Sequence, residues 1–211
     1  MRVLGLDEAG RGAVLGPMTV GAFLIDDEAY AELESIGVTD SKKLSAKKRE
    51  VIAGLLPDLG TGVVREISAR EIDAGNLNRL EEEVFIELIE QLQPDHVILD
   101  APTHPRGIPA LTQRILAKLT YTPTLCIEPK ADLNYLPVGA ASILAKVQRD
   151  AVIASLGALG SGYPSDPTTR AFLIEALRSE APMPAFVRTR WSTLDNLRQM
   201  PLVNPRGAAR G

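Results

Sequence analysis

The chain has 211 residues, 45% of them hydrophobic and 24% charged, a composition that excludes a wholly disordered chain. With 23 Lys and Arg against 27 Asp and Glu the net charge is −4, which argues against a histone-like protein that coats polyanions indiscriminately but leaves room for a local basic patch. The single cysteine, Cys126, rules out an intramolecular disulfide and a Cys-rich zinc site, and its place in an apolar run reads as a small buried hydrophobe.

The N-terminus reaches acidic residues by position 7, unlike a secretory signal, and no window approaches the roughly 18 apolar residues of a membrane span. A soluble, cytoplasmic protein is expected. Residues 2–6 and 18–25 are short apolar runs that predict two strands around a Gly-rich segment, and 63–67 predicts a third. Ser45 is a suitable N-cap for a helix over 46–56 that Pro57 stops. Leu77, Leu80, Val84, Phe85, Leu88 and Leu92 recur at helical spacing, which sets Glu81 to Glu83 on or beside the wet face.

HVIL at 96–99 predicts a buried strand ending in Asp100, and 124–127 predicts another, with a helix over 109–119 between them. A long helix is expected over 139–156, then a Gly/Pro loop at 160–167 and helices over 169–178 and 192–199. This alternation predicts an α/β fold: a central mixed sheet of about five strands flanked by helices, with a helical C-terminal extension. The expected organisation is a catalytic domain over 1–158, a helical subdomain over 159–200 and a flexible tail over 201–211.

Four acids stand out by position. Asp7 and Glu8 end the first strand, Asp100 ends the HVIL strand and Asp132 follows the next. In open α/β sheets ligands gather beyond strand ends, so these carboxylates are candidates for one shared site. Neighbours in a regular strand point to opposite faces, so the first strand is expected to end or twist at Asp7 and Glu8. Converging carboxylates repel by roughly 4 kcal/mol per pair at about 4 Å and an effective dielectric near 20, so they either take up protons or hold cations between them. All-oxygen donors suit Mg²⁺ or Mn²⁺ better than Zn²⁺, and two such ions form a device for attack at a phosphodiester.

LGLDEAGRG at 4–12, TDSKKLS at 39–45, ILDAP at 98–102, PKADLNY at 129–135 and GAASILAKVQRD at 139–150 together resemble the type 2 ribonucleases H, and GSGYPSDP at 160–167 with RWST at 190–193 point to the archaeal branch. The resemblance implies a ribonuclease H-like fold. It also implies hydrolysis of the RNA strand of RNA–DNA hybrids and incision 5′ of ribonucleotides embedded in DNA, leaving 3′-hydroxyl and 5′-phosphate ends. It carries catalytic and metal-binding roles onto Asp7, Glu8, Asp100 and Asp132. In that scheme Asp7 bridges two ions, Glu8 and Asp100 hold one, and Asp132 holds the other. Pro129 stands where the family commonly has a His, and Ala13 where a Pro often follows Gly-Arg-Gly.

Telling RNA from DNA requires contact with the 2′-hydroxyl, a role the resemblance gives to Gly10, Arg11 and Gly12. It gives Tyr163 a stacking role on the next sugar. Lys42, Lys43, Lys47, Lys48 and Arg49 put five positive charges into eight residues, of which Lys42 and Lys43 are the expected phosphate contacts. Lys146, Arg188 and Arg190 are secondary candidates, His96 and His104 read as structural or solvated, and Trp191 as a packing anchor. Gln199 and Leu202 begin a sliding-clamp spacing but lack the aromatics that should follow, so clamp binding is not expected; a monomer is. The competing expectations are a junction resolvase, which would not need the 2′-hydroxyl reader, and a binding protein without catalysis, which would not need all four acids.

Overall fold

The computed structural model describes residues 1–199. Five strands form one sheet: β1 (Arg2–Ala9), β2 (Met18–Asp26), β3 (Thr61–Ile67), β4 (His96–Asp100) and β5 (Thr124–Glu128), in the order β3-β2-β1-β4-β5. β1, β2 and β3 pair antiparallel, whereas β1–β4 and β4–β5 are parallel, so the sheet is mixed as expected. The helices are α1 (Tyr30–Ser35), α2 (Ala46–Leu55), α3 (Ala69–Ala74), α4 (Leu77–Leu92), α5 (Ile108–Lys118), α6 (Ala131–Asn134), α7 (Leu136–Ser155), α8 (Pro167–Arg178) and α9 (Ser192–Gln199). The short α1, α3 and α6 lack the length that makes a periodic signal.

Strand alternation sorts the core. Leu4, Leu6, Val20 and Ala22 pack with Phe85, Leu88 and Ile89 of α4, while Phe23 and Ile25 pack with Ala140, Ala141 and Ile143 of α7 on the other face. α7 begins three residues earlier than its stripe predicts, because Pro137 is tolerated in a first helical turn. It lies so close to the sheet that a Cβ on Gly21 would meet the Ala141 carbonyl oxygen at 2.1 Å. A third apolar cluster joins Leu173, Leu194 and Leu197 of α8 and α9 to Val14, Leu15 and Ile153. The expected segment over 201–211 lies outside the described residues.

Two readings need correction. Glu81 and Glu82 are buried, not on the wet face: Glu81 falls in the stripe of Leu77, Phe85, Leu88 and Leu92 at spacings of three and four, and Glu82 is covered by Arg114 and Lys118 of α5, at 2.8 and 3.2 Å. Cys126 is half-buried, since β5 is an edge strand covered on fewer sides than β4, and burial and Glu128 raise its thiol pKa.

Candidate active site

β1 does not end at Asp7. Its ladder with β2 continues through Asp7↔Gly21, Glu8↔Val20 and Ala9↔Thr19, while its pairing with β4 stops at Leu6↔Leu99. Alternation is obeyed, and the two acids flank the strand. Asp7 lies on the α7 face, where Ser142 hydrogen-bonds to it; Glu8 lies on the α4 face, facing the charge of Glu81. Past the end of the β1–β4 pairing both also feel Asp100 at the tip of β4, so one site draws on both faces of a strand that overruns its neighbour.

Asp100 Oδ1 accepts the Ala131 N–H at 2.8 Å, which ties the end of β4 to the start of α6 and sets the position of Asp132. Lys130, at φ 62°, makes the left-handed turn into that helix. Asp132 is buried, and its Oδ2 lies 3.4 Å from Lys42 Nζ.

A cleft of about 330 Å³ brings Asp7, Glu8 and Asp100 together with Gly10, Arg11 and Gly12, Lys42, Lys146 and Tyr163. Lys43 and Asp132 are not part of its lining; Lys43 instead sits 4.0 Å from Asp40. Ser41, Ser142 and Arg49 also line the cleft, and no sequence signal of their own marks them as site residues. Ser41 Oγ and Ser142 Oγ are 2.9 Å apart, and Arg49 reaches Asp150 at 3.1 Å, the same carboxylate that Lys146 Nζ meets at 2.5 Å. Only the final position of α7 makes these residues neighbours.

The carboxylates are held in an unfavourable state. Burial, then the charge of Glu8, pushes Asp7 well above the usual range against the opposing Ser142 bond. Burial and the charge of Glu81 push Glu8 up to about 7, with Arg11 opposing. Asp100 is raised by burial, with the Ala131 N–H opposing. Glu8 Oε2 and Asp132 Oδ1 are buried without a hydrogen-bond partner among the described residues. Orphaned oxygens on mutually repelling carboxylates, with no nitrogen or sulfur donor among them, are a donor set suited to hard divalent cations. Among the described residues no three His, Cys, Asp or Glu side chains are already disposed to close on one ion; Asp7 and Glu8 diverge, and Asp132 is turned to Lys42.

Two buried arginines hold the loops around the cleft. Arg188 donates to Gly16 O and to Arg11 O, both at 3.0 Å, so it is a loop anchor and not a phosphate contact. Arg190 is taken up by Asp73, and Trp191 stacks with Arg188 at 5.4 Å, in keeping with a packing role. Arg149 donates to Ser161 O at 3.1 Å and lies 4.7 Å from the ring centroid of Tyr163. Gly10 adopts φ +84°, and a Cβ there would sit 2.2 Å from Arg149 Nε, so this turn requires glycine. His104 caps a short turn through Nδ1, and His96 is half-buried at the start of β4, both away from the cleft.

The family model for ribonuclease HII matches residues 4–194. The chain belongs to the ribonuclease HII family. It is 43% identical to the ribonuclease HII of Thermococcus onnurineus, over 94% of this chain and 91% of that protein. It superposes on the ribonuclease H2 of Pyrococcus horikoshii OT3 with a TM-score of 0.84 and 39% identity, covering 93% and 97% of the two chains. It superposes equally on the ribonuclease HII of an Archaeoglobus fulgidus complex with PCNA, with a TM-score of 0.83, 37% identity, and 95% and 98% coverage. The fold is thus ribonuclease H-like, and the activity is that of a type 2 endoribonuclease H, an endonuclease on RNA–DNA hybrids. Leu202 of the clamp spacing lies outside the described residues, and no described helix is long and apolar enough to cross a membrane.

Proposed function

We propose that the chain cuts the RNA strand of RNA–DNA hybrids and nicks duplex DNA on the 5′ side of embedded ribonucleotides by two-metal-ion catalysis, leaving 3′-hydroxyl and 5′-phosphate ends. The observation that carries this reading is the group of raised, partly orphaned carboxylates, Asp7, Glu8 and Asp100 with Asp132 behind Lys42, beside a glycine turn.

Asp7, Glu8, Asp100 and Asp132 would hold Mg²⁺ or Mn²⁺, which when bound lower the pKa of water and stabilise the leaving oxygen. The chain's own residues do the rest. Ser142 orients Asp7, and the Ala131 N–H orients Asp100. The Gly10–Arg11–Gly12 backbone offers donors and acceptors to a 2′-hydroxyl, which alone separates a ribose from its neighbours. Lys42 and Lys146 face phosphates, and Tyr163 presents a ring for the next sugar. We further propose a monomer acting in the cytoplasm, where its nucleic-acid substrate is, with a catalytic part over 1–158 and a helical part over 159–200.

The test is a paired nicking assay. A DNA duplex carrying one ribonucleotide is cut in Mg²⁺ or Mn²⁺, and its all-DNA twin is not; equal cutting of both transfers the reading to a junction resolvase. Asp7→Asn lowers cleavage by more than about 10²-fold while duplex binding persists, the outcome expected of a residue that acts on the reaction and not on affinity. A relative has PCNA as its partner in a solved complex, and a binding assay with the full-length chain tests whether this one shares it.

A further inference from the structure

Asn78 and Glu81 stand three residues apart on α4, so they share one helix face. Both accept from the same guanidinium: Arg11 Nη1 donates to Glu81 Oε2, and Arg11 Nη2 to Asn78 Oδ1. The main chain of Arg11 is held separately, its carbonyl oxygen accepting from Arg188 at 3.0 Å. Arg11 is therefore fixed at both ends, and with it the turn whose flanking glycines line the cleft next to Glu8.

Stability does not account for this pair. The Glu81 side chain is 2% exposed and Oε1 has no partner among the described residues. Replacing both partners of such a pair by apolar residues is often neutral, whereas removing one is costly when the charge left behind stays buried. Here the charge left behind would be Arg11, whose side chain is 27% exposed and reaches water. The position even favours such a replacement, since Glu81 interrupts the apolar stripe that continues in Phe85 and Leu88. What distinguishes Glu81 is its place beneath the turn, not its contribution to the core.

We propose that Glu81, with Asn78, is a positioning residue: through Arg11 it fixes the Gly10–Arg11–Gly12 turn relative to Glu8, so that the backbone meets the 2′-hydroxyl next to the scissile phosphate. The inference rests on the function proposed above. Without the clamp the turn keeps its bond to Arg188 but loses the tether on its side chain, and the reading groups drift while the strand-end acids stay in place.

Glu81→Leu and Glu81→Gln test it on the single-ribonucleotide duplex in Mg²⁺. Glu81→Leu leaves the Arg11 guanidinium able to turn to water and is expected to keep both Tm and KM near the wild-type values. Its kcat falls by about 10–100-fold, the scale of a misplacement of about 1 Å. Glu81→Gln, which retains an acceptor for Arg11, recovers most of that loss, and Arg11→Leu added to Glu81→Leu costs little more. Wild-type kcat in Glu81→Leu overturns the proposal, as does a loss that follows a fall in Tm or that Gln does not recover. Failure of the underlying reading shows elsewhere, as wild-type cutting of the all-DNA twin.

Discussion

Gly21 faces Asp7 across the β1–β2 ladder, and the missing side chain of the one allows the helix that orients the other to approach. A Cβ on Gly21 would stand 2.1 Å from the Ala141 carbonyl oxygen, and the next residue, Ser142, supplies the hydroxyl on Asp7. Gly21→Ala must push α7 outward. Overpacking of this kind costs about 1–3 kcal/mol, and in a chain of this size each kcal/mol is worth about 2–4 °C of Tm. A thermal melt is expected to show that fall. Single-turnover cleavage at a temperature where the variant is folded is expected to be slower, because Ser142 moves off Asp7. Wild-type cleavage by the folded variant would separate the packing of α7 from the chemistry.

The acids make stability and activity respond to pH in opposite directions. Burial and neighbouring charge raise Glu8 from 4.5 to about 7, and raise Asp7 and Asp100 in the same sense. The folded chain then binds more protons than the unfolded one between these values, so without added metal its stability falls as pH rises from about 4.5 through about 7. If the acids hold metal as proposed, cleavage requires them ionised and is expected to rise over the upper part of that window. Glu8→Gln removes one of the repelling charges. At pH 8 without metal it is expected to melt higher than wild type by at least about 2–4 °C, the equivalent of roughly 1 kcal/mol. It is also expected to lose cleavage. A lower Tm would show that Glu8 is not under electrostatic strain.

The sheet, the long helices and the acids were readable in the sequence because each is a local signal. A short run such as HVIL at 96–99 ending in Asp100, or a stripe of Ala, Ile, Leu and Val along the roughly five turns of 139–156, needs no partner to be recognised. The burial of Glu81 is hidden for a different reason: a charge argues for the wet face, although its place in the stripe of Leu77, Phe85 and Leu88 predicts burial. Alternation by itself predicts a strand end at Asp7 and Glu8 if one face holds the site; a strand that outruns its neighbour on one side satisfies alternation and still delivers both. No local signal marks Ser142 as a partner of Asp7, or Arg188, read as a phosphate candidate, as a loop anchor. Their partners, Asp7 and Arg11, lie more than a hundred residues away, and only the packed positions of α7 and the C-terminal segment bring them together.

Lys42 and Lys43 are neighbours in sequence and equivalent in composition, but the fold separates them. Lys42 lines the cleft, and although burial opposes it, Asp132 keeps its ammonium more firmly protonated than usual; Lys43 points to Asp40 outside the cleft. Both are about as exposed, at 79% and 75%. Lys42→Ala is expected to weaken duplex binding and to lower the slope of log K against log salt by about 1, as the loss of one phosphate contact does. Lys43→Ala is expected to leave that slope within error. Equal slopes for the two variants, measured by titration in 50–200 mM salt, would mean that the charge of the run acts as a whole and not through one residue.

Tyr163 gives the clearest separation of the two substrates. Its ring lines the cleft and rests on the guanidinium of Arg149, which also holds the Ser161 carbonyl, so the loop and the ring are set by one buried cation. A base stacked on an aromatic ring is worth about 1–3 kcal/mol, or roughly 5–150-fold, which sets an upper scale for a ring laid against a sugar. In a duplex with one ribonucleotide only a single register presents the scissile bond, so the loss falls fully on the rate. In a long hybrid many registers are productive, and a shifted one can substitute. Tyr163→Ala is therefore expected to slow incision at the single ribonucleotide by at least about tenfold more than cleavage of the hybrid, and Tyr163→Phe, which keeps the ring, to behave nearly as wild type on both. A uniform loss on the two substrates would mean that Tyr163 supports the loop and reads nothing.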